Sequence, residues 1–260
     1  MDLDRDPKIA KTMTKASLKR LHTAHLRHKA TVDAVQEELK RLNLKPWWVN
    51  GAEISFIAKP GDRVVCVGGD GTVLSASHHC GEGVELISIN SNPEMSFGRL
   101  CNAKIQDLSC LTKKTKATLI PRMRITVDGA VVHNRVLNDA LFSDSCPAAM
   151  TRVTDGATRY SCSGLWIGTG AGSTGALKSA GGDVLDIRSR KLQTVVREPF
   201  NHASDRALKM TRSMFRFRSK TVDATLYLDG TFLRVPVGFD QVMEFTLSPE
   251  PLRMIGPHLP

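Results

Sequence analysis

Hydrophobic positions recur every three or four residues in one long segment near the start of the chain. This spacing predicts an amphipathic helix over residues 18–42, with lysine, arginine and glutamate on its opposite face. The apolar face consists of Leu18, Leu21, His25, His28, Val32, Val35, Leu39 and Leu42. We expect His25 and His28 to pack at the edge of this face, with a role as ligands as the alternative.

Short apolar runs follow the helix and predict the strands of a buried sheet. Turn residues and one helical pattern after Thr72 separate them. The runs cover residues 47–49, 54–58, 64–67 and 86–89. Because strands that alternate with helices form parallel sheets covered by helices, we predict an α/β domain in the N-terminal part.

From about Lys116 the pattern changes to the alternation that is typical of antiparallel strands. Residues 122–127 alternate, Asp128-Gly129 predicts a hairpin turn, and residues 130–132 return. Further runs cover residues 165–167, 225–228, 232–237 and 242–247, with a second hairpin turn at Asp229-Gly230. This pattern predicts a mostly β C-terminal domain, built as a β-sandwich. The expected division is 1–113, 114–247 and a C-terminal segment, 248–260, that returns to the first domain.

The composition is that of an ordinary globular protein. The chain has 260 residues, of which 41% are hydrophobic and 24% are charged. No apolar run approaches the roughly 18 residues that cross a membrane. The first residues lack the apolar segment of a secretory signal and are too acidic for a typical mitochondrial presequence. We expect a cytoplasmic protein without a membrane partner, with a mitochondrion or another organelle as the alternative.

The net charge of +10 is compatible with nucleic acid or with polyanionic nucleotides as ligands. The basic residues are spread along the chain and aromatic residues are only 5%, too few for a base-stacking surface. We therefore expect no nucleic-acid partner.

The six cysteines are scattered, without a C-x-x-C pair, which favours free thiols in a reducing compartment. The cluster His78-His79-Cys80 suggests zinc, but no second pair of ligands stands at a suitable spacing. We expect no fixed metal site in the protein.

The stretch VVCVGGDGTVL, residues 64–74, carries the first chemical signal. A buried strand that ends in glycines and opens into a helix presents backbone N–H groups and a helix N-terminus to phosphate. Asp70 within it could accept a proton from an attacking hydroxyl or hold Mg²⁺. The alternative is a simple turn in which Asp70 is the N-cap of the helix.

A second glycine-rich turn follows the predicted strand at 165–167 and reads GTGAGSTGALKSAGG, residues 168–182. Its small residues allow a flat ring to lie against the backbone, and its hydroxyls can bond sugar or phosphate oxygens. By itself such a loop is more often a connector.

Together these motifs resemble the NAD kinase family. GGDGT, the pair Asn138-Asp139, the stretch GAGSTGAL and the late Asp229-Gly230 occur in the family's order, and the resemblance spans about residues 64–255. It is strongest to the branch of plant NADH kinases and mitochondrial-type enzymes. Supporting residues are Asn90-Ser91-Asn92-Pro93, Ser96, Gly98, Leu100-Cys101, 146–149 and 196–199. GGDGT alone is shared with diacylglycerol-type lipid kinases and loosely with phosphofructokinases, but the second loop is not.

The resemblance implies a Rossmann-like parallel sheet, similar to that of phosphofructokinases and diacylglycerol kinases, and Mg²⁺-dependent transfer of phosphate from ATP or polyphosphate to the adenosine ribose 2′-hydroxyl of NAD⁺ or NADH. It implies Asp70 as the base or orienting carboxylate, and a phosphate loop of Gly68, Gly69, Gly71 and Thr72. The residues it assigns to the dinucleotide are Asn90, Asn138, Asp139, Ser163, Thr174, Gly175, Ala176 and Ser179. Asp229 is a further candidate, with a purely turn-forming role as the alternative. The family also implies a homodimer or homotetramer, with Mg²⁺ arriving on ATP.

Three departures from the family stand out. Gly175 and Ala176 replace the usual alanine and tyrosine, which removes an aromatic stacking partner, and Ser163 replaces an aspartate near the nicotinamide end. No strand is evident before Leu18, so the sheet is expected to be one strand short. A lipid kinase and a non-catalytic dinucleotide sensor are the competing hypotheses.

Overall fold

The first layer of the protein is a long helix, α1, which spans Lys15–Arg41. The computed structural model describes residues 13–49, 56–200 and 208–257. The side chain of Thr14 accepts a hydrogen bond from the Ser17 N–H and so caps the helix, which ends in a basic turn at Lys40 and Arg41. The predicted helix is confirmed. No helix in these ranges combines the length and apolar character needed to cross a membrane.

A four-stranded sheet lies against α1. In spatial order its strands are β1 (Arg63–Gly68), β2 (Glu85–Asn90), β16 (Leu252–Met254) and β3 (Thr118–Ile120). The first three strands are parallel and β3 is antiparallel to β16. The sheet is therefore mixed, and the last strand of the chain is one of its central members.

Helices cover both faces of this sheet. A helix that follows β1, α2 (Asp70–Ser77), packs with Leu86 on one face. On the other face, Ile87 and Ile89 pack with α1 and with a 3₁₀-helix at Ile105–Thr112. Successive residues of β2 thus serve opposite cores, as a strand buried on both sides requires.

The described residues also form two antiparallel sheets of six strands each. One is ordered β11 (Lys209–Arg212), β10 (Leu192–Arg197), β9 (Gly164–Gly168), β6 (Asp139–Asp144), β13 (Asp223–Leu228) and β14 (Leu233–Gly238). The other is ordered β5 (Ala130–Val136), β4 (Met123–Val127), β15 (Val242–Leu247), β12 (Met214–Ser219), β7 (Thr151–Thr154) and β8 (Arg159–Cys162).

The two sheets share one apolar core and form a β-sandwich. Phe142, Leu165 and Leu226 of one sheet belong to the same buried cluster as Phe217 and Phe245 of the other. The predicted combination of an α/β part and a β-sandwich is confirmed.

Two predicted strands are wrong and several strands were missed. Residues 47–49 and 56–58 form no strand, and 54 and 55 lie outside the described residues. Trp47 is 76% exposed, so this apolar run follows the helix without entering a core. Among the missed strands, β10 carries buried Gln193 and Thr194, which interrupt the apolar pattern on which the prediction depended.

Candidate functional site

The loop between β1 and α2 leaves no room for side chains at its first glycines. A Cβ added to Gly68 would lie 2.2 Å from Thr72 Oγ1, and one added to Gly69 would lie 2.9 Å from Ser96 Oγ. Gly71 is exposed, with open space where its Cβ would be. The loop is thus folded closely upon itself, with the N-terminus of α2 available to an anion.

Asp70 is the first residue of α2, and Gly69 occupies the N-cap position. The alternative in which Asp70 is the N-cap is therefore wrong by one residue. Its carboxylate instead accepts hydrogen bonds from the backbone N–H groups of Leu100, at 2.7 Å, and Arg99, at 3.1 Å. The glycine loop is thereby tied to the loop that follows β2, since adjacent parallel strands end at the same edge of a sheet.

Asn90 organises the loop that follows β2. Its Nδ2 donates to the carbonyl of Ser96 at 3.1 Å, and its Oδ1 accepts from the N–H of Asn92 at 2.9 Å. Gly98 has φ +57°, and a Cβ there would lie 2.2 Å from Asn90 Nδ2. Both ends of the Asn90 amide are therefore already engaged within this loop.

Two of the three histidines of α1, His25 and His28, were predicted to pack at the edge of its apolar face. His28 Nδ1 lies 3.0 Å from the hydroxyl of Ser91, and the partial burial of this ring lowers its pKa. His25 is exposed. His28 thus packs at the edge of the helix face, as predicted, and helps to dock α1 onto the loop that follows β2.

The second glycine-rich loop follows β9 and contains a 3₁₀-turn, Gly172–Thr174, and a short helix α3, Ala176–Ser179. The hydroxyl of Ser173 is buried and donates to the Gly170 carbonyl at 2.7 Å. Thr174 and Ala176 are half-buried, whereas Gly175 and Ser179 are exposed. The residues assigned to the dinucleotide thus lie on the accessible side of this loop, and Ser173 supports it from within.

Asn138 and Asp139 lie against the second loop. The carbonyl of Asn138 accepts from the Thr169 N–H at 2.9 Å, and Asp139 begins β6. The side-chain Oδ1 of Asn138 is buried and has no hydrogen-bond partner among the described residues. An unpaired buried amide oxygen costs free energy, so this atom is suited to meet a donor from a ligand.

Asp229 forms the predicted hairpin turn with Gly230, at φ +47° and +74°. Its buried carboxylate also accepts three successive backbone N–H groups: those of Leu137 and Asn138 at 2.8 Å and that of Asp139 at 3.1 Å. Asp229 thus has two structural roles. It forms the turn, and its side chain fixes the backbone of the Asn138-Asp139 pair.

Burial and the neighbouring charge of Asp229 raise the pKa of Asp139 to about 7. Between about pH 4 and pH 7, Asp139 is therefore protonated in the folded protein and ionised in the unfolded chain. A raised folded pKa stabilises the protein below the unfolded pKa, and this contribution is lost as the pH rises through about 7.

We expect Asp139→Asn, which stays neutral, to abolish this dependence. Its thermal midpoint should match the parent's near pH 4 and exceed it by several degrees at pH 8. Thermal melts of both proteins from pH 4 to 8 measure the difference. A difference that is constant with pH would contradict the assignment.

Helix α2 brings the two loops together. Its residues Val73 and Ala76 belong to one buried cluster with Leu137 and with Ala171 of the second loop. Ser163 is not brought into this group, because it precedes β9 whereas the loop follows that strand. Five residues at about 3.3 Å each separate the two ends.

Two residues that the sequence did not assign also belong to this region. Arg99 follows Gly98, and its Nε is buried without a hydrogen-bond partner in the described parts of the chain. His78, which the sequence offered only as a zinc ligand, is buried at the end of α2 with Nε2 3.0 Å from Asp229 Oδ2. In the sequence, Arg99 is indicated by its position as a cation between the two glycine-rich stretches. No local pattern indicates the role of His78.

Gly172 and Gly175 make a matched pair for testing the second loop. A Cβ on Gly172 would lie 2.3 Å from the Asn138 carbonyl oxygen, whereas one on Gly175 would meet only the Gly172 carbonyl, at 3.5 Å. We expect Gly172→Ala to lower stability by about 1–3 kcal/mol and to displace the Asn138-Asp139 backbone.

Gly175→Ala should melt within about 2 °C of the parent, since the added methyl makes an ordinary contact. Thermal unfolding of the two variants measures the contrast. Equal destabilisation would show that the close approach of Gly172 to Asn138 does not constrain the loop.

Comparison with known sequences gives relatives that include proteins named NAD kinase and NADH kinase, although no family model matches the chain. A rice protein named a probable NADH kinase is 30% identical over 204 residues, which cover 67% of this chain. The chain spans only 63% of the length of that relative. The NAD kinase of Methanoculleus marisnigri is 31% identical over 186 residues, which cover 68% of each chain.

Solved structures share the fold. The NAD kinase of Archaeoglobus fulgidus in complex with ATP matches with a TM-score of 0.67 at 23% identity, over 86% of this chain and 88% of that one. Yeast NADH kinase complexed with NADH matches with a TM-score of 0.62 at 17% identity, over 75% of this chain and 61% of that one. At these identities the likeness establishes the architecture.

Proposed function

Because this chain belongs to the NAD kinase family, we propose that it transfers the γ-phosphate of ATP to the 2′-hydroxyl of the adenosine ribose of NAD⁺ or NADH. One observation carries the proposal. Helix α2 begins with Asp70 at the phosphate loop, and its Val73 and Ala76 belong to the same buried cluster as Leu137, which precedes the Asn138-Asp139 pair, and Ala171 of the second loop. One rigid element thus connects a phosphate-binding loop with a candidate dinucleotide site.

In this mechanism Asp70 orients the ribose 2′-hydroxyl and accepts its proton. The hydroxyl oxygen forms a bond to the γ-phosphorus while the bond from that phosphorus to the oxygen bridging to the β-phosphate breaks, and ADP leaves. The Asp70 carboxylate accepts hydrogen bonds from two backbone N–H groups, which hold it in one orientation. Positioning of this kind accounts for much of the acceleration of phosphoryl transfer.

The phosphates of ATP would lie at the N-terminus of α2, in a loop of Gly68, Gly69, Gly71 and Thr72. The residues proposed for the dinucleotide are Asn90, Asn138, Asp139, Ser163, Thr174, Gly175, Ala176 and Ser179. The proposed division of the chain places the ATP loop in residues 1–113, with 248–260 returning to them, and every dinucleotide residue except Asn90 in 114–247. The unpaired Oδ1 of Asn138 supports the second assignment.

Mg²⁺ enters this scheme with ATP. Within the described residues, no three His, Cys, Asp or Glu side chains lie together in a way that could hold a metal ion. The carboxylate of Asp70 is also engaged by backbone donors. The donor set therefore does not fit a resident metal, and the ion is treated as part of the MgATP substrate, where it neutralises phosphate charge.

The remaining assignments follow the family. We propose a homodimer or homotetramer, in the cytoplasm or alternatively in a mitochondrion or another organelle. Polyphosphate is the alternative donor. Light scattering of the purified protein measures the oligomeric state, and a monomer would contradict that part of the proposal.

The deciding experiment measures NADP⁺ and NADPH formed from NAD⁺ and NADH with MgATP or with Mg-polyphosphate. Product phosphorylated at the 2′ position is the expected result. Phosphorylation of lipid vesicles instead would favour a lipid kinase. Binding of NAD⁺ or NADH without any phosphorylated product would favour a dinucleotide sensor.

A further inference from the structure

A cluster of polar and aromatic side chains, in which His78 and Asp229 are buried, lies at the end of α2 that is remote from Asp70. His78 Nδ1 is 2.8 Å from His133 Nε2, and His78 Nε2 is 3.0 Å from Asp229 Oδ2. The His78 ring stacks on Phe232, with centroids 3.6 Å apart and an angle of 3° between the planes. The ring therefore contacts other groups through its face and through both nitrogens.

The charges of this cluster define how its protons are shared. Burial and the proximity of His78 lower the pKa of His133 to about 4, so His133 is neutral at neutral pH. The Asp229 carboxylate favours a proton on Nε2 of His78, and Nδ1 then accepts the hydrogen bond from His133 Nε2. The contact of Nε2 with Asp229 is an electrostatic approach without hydrogen-bond alignment.

His78 is held through its backbone as well. Its carbonyl accepts from Arg135 Nη1 at 3.1 Å, and Arg122 Nη1 donates to the neighbouring carbonyls of Ser77 and Cys80. These guanidinium groups satisfy the carbonyls at the C-terminal end of α2, where positive charge is favourable. The end of α2 is thus anchored to the β-sandwich by its carbonyls and by the His78 ring.

The cluster reaches the candidate dinucleotide site in one further step. Asp229, which His78 contacts, holds the backbone N–H groups of Leu137, Asn138 and Asp139. The eight residues of α2 form a rigid spacer of about 12 Å between Asp70 and His78. Helix α2 therefore carries the Asp70 carboxylate at one end. Its other end is connected, through His78 and Asp229, to the backbone of the Asn138-Asp139 pair.

We propose that His78 is a positioning residue, which through Asp229 fixes the Asn138-Asp139 backbone relative to Asp70. This role rests on the proposed kinase function, because it aligns the acceptor ribose with the carboxylate. Displacements of about 1 Å in such an alignment reduce turnover on the order of 100-fold.

The test compares two partial mimics of the imidazole with a neighbouring histidine. His78→Gln can place a donor near Asp229, and His78→Asn can place an acceptor near His133 without reaching Asp229. His79→Gln is the control, since the ring of His79 lies against Phe56, with centroids 4.9 Å apart, and outside the cluster.

The first readout is amide hydrogen exchange at residues 137–139. We expect roughly tenfold or faster exchange in His78→Asn, a smaller change in His78→Gln, and none in His79→Gln. Unchanged exchange in both His78 variants would overturn the connection through Asp229. Because this measurement needs no substrate, it gives a result even if the proposed kinase function fails.

The second readout is the phosphorylation of NAD⁺ and NADH. We expect His78→Asn to lower kcat about 10- to 100-fold, with the KM for ATP within about threefold and partial recovery in His78→Gln. A kcat within about twofold of the His79→Gln control would overturn the positioning role. A parent protein without kinase activity would instead overturn the proposed function, and exchange would remain the measure of the connection.

Discussion

Replacement of Asp70 by asparagine is expected to lower kcat by about 100- to 10,000-fold, while the Kd for NAD⁺ or NADH changes less than about threefold. The reason is that asparagine is nearly isosteric but cannot accept the proton of the ribose hydroxyl. Single-turnover rates and equilibrium binding measure the two quantities separately. Turnover close to that of the parent would contradict the assigned role.

Asp70 also has a structural role, which this test must separate from catalysis. Asparagine keeps one acceptor oxygen and turns an NH₂ group toward a backbone N–H of Arg99 or Leu100, so we expect a loss of about 1–3 kcal/mol in stability. Gly98→Ala is the matched control. Alanine at this position strains the same loop, because residue 98 has φ +57° and the added methyl would meet the side chain of Asn90. The Asp70 carboxylate stays unchanged in this variant.

The two roles predict different outcomes for this pair. If Asp70 only anchors the loop, Asp70→Asn and Gly98→Ala should lose turnover in proportion to their loss of stability. If Asp70 takes the proton, Asp70→Asn should lose far more turnover than Gly98→Ala at a comparable melting temperature. Both variants are measured well below their unfolding midpoints.

Much of the fold was predictable because its signals are local. The 27-residue helix α1 repeats one apolar face along its length, and the turns at Asp128 and Asp229 each pair an aspartate with a glycine at positive φ. The strand β10 was not predictable in this way, since its buried Gln193 gains its partners, the Asp183 N–H and the Thr211 hydroxyl, only when the tertiary structure assembles.

The location of the candidate site was predictable, but its connections were not. Glycine loops are visible in the sequence, whereas the partners of Asp70 lie 29 and 30 residues away along the chain. The three N–H groups that Asp229 accepts lie 90 to 92 residues before it. Pairing over such distances depends on the tertiary fold, so the sequence indicated a turn and could not indicate what its carboxylate holds.

Removal of the buried Asp229 carboxylate is expected to give the largest change in stability. Asp229→Ala should lower the free energy of unfolding by at least about 3 kcal/mol, because three backbone N–H groups lose their acceptor at about 1–3 kcal/mol each. The relief of charge repulsion with Asp139 offsets part of this loss. Chemical denaturation at pH 7 measures the change.

The corresponding turn at Asp128-Gly129 supplies the control. Asp128 has φ +49° and also bonds a backbone N–H, that of Val242 at 2.8 Å, but it is exposed. Asp128→Ala therefore incurs the same backbone cost of about 1–2 kcal/mol with little loss from burial. If the two variants lose equal stability, the carboxylate of Asp229 serves the turn alone. A loss at Asp229 about twice as large or more would mean that the carboxylate holds the Asn138-Asp139 backbone in place, as its hydrogen bonds to residues 137–139 indicate.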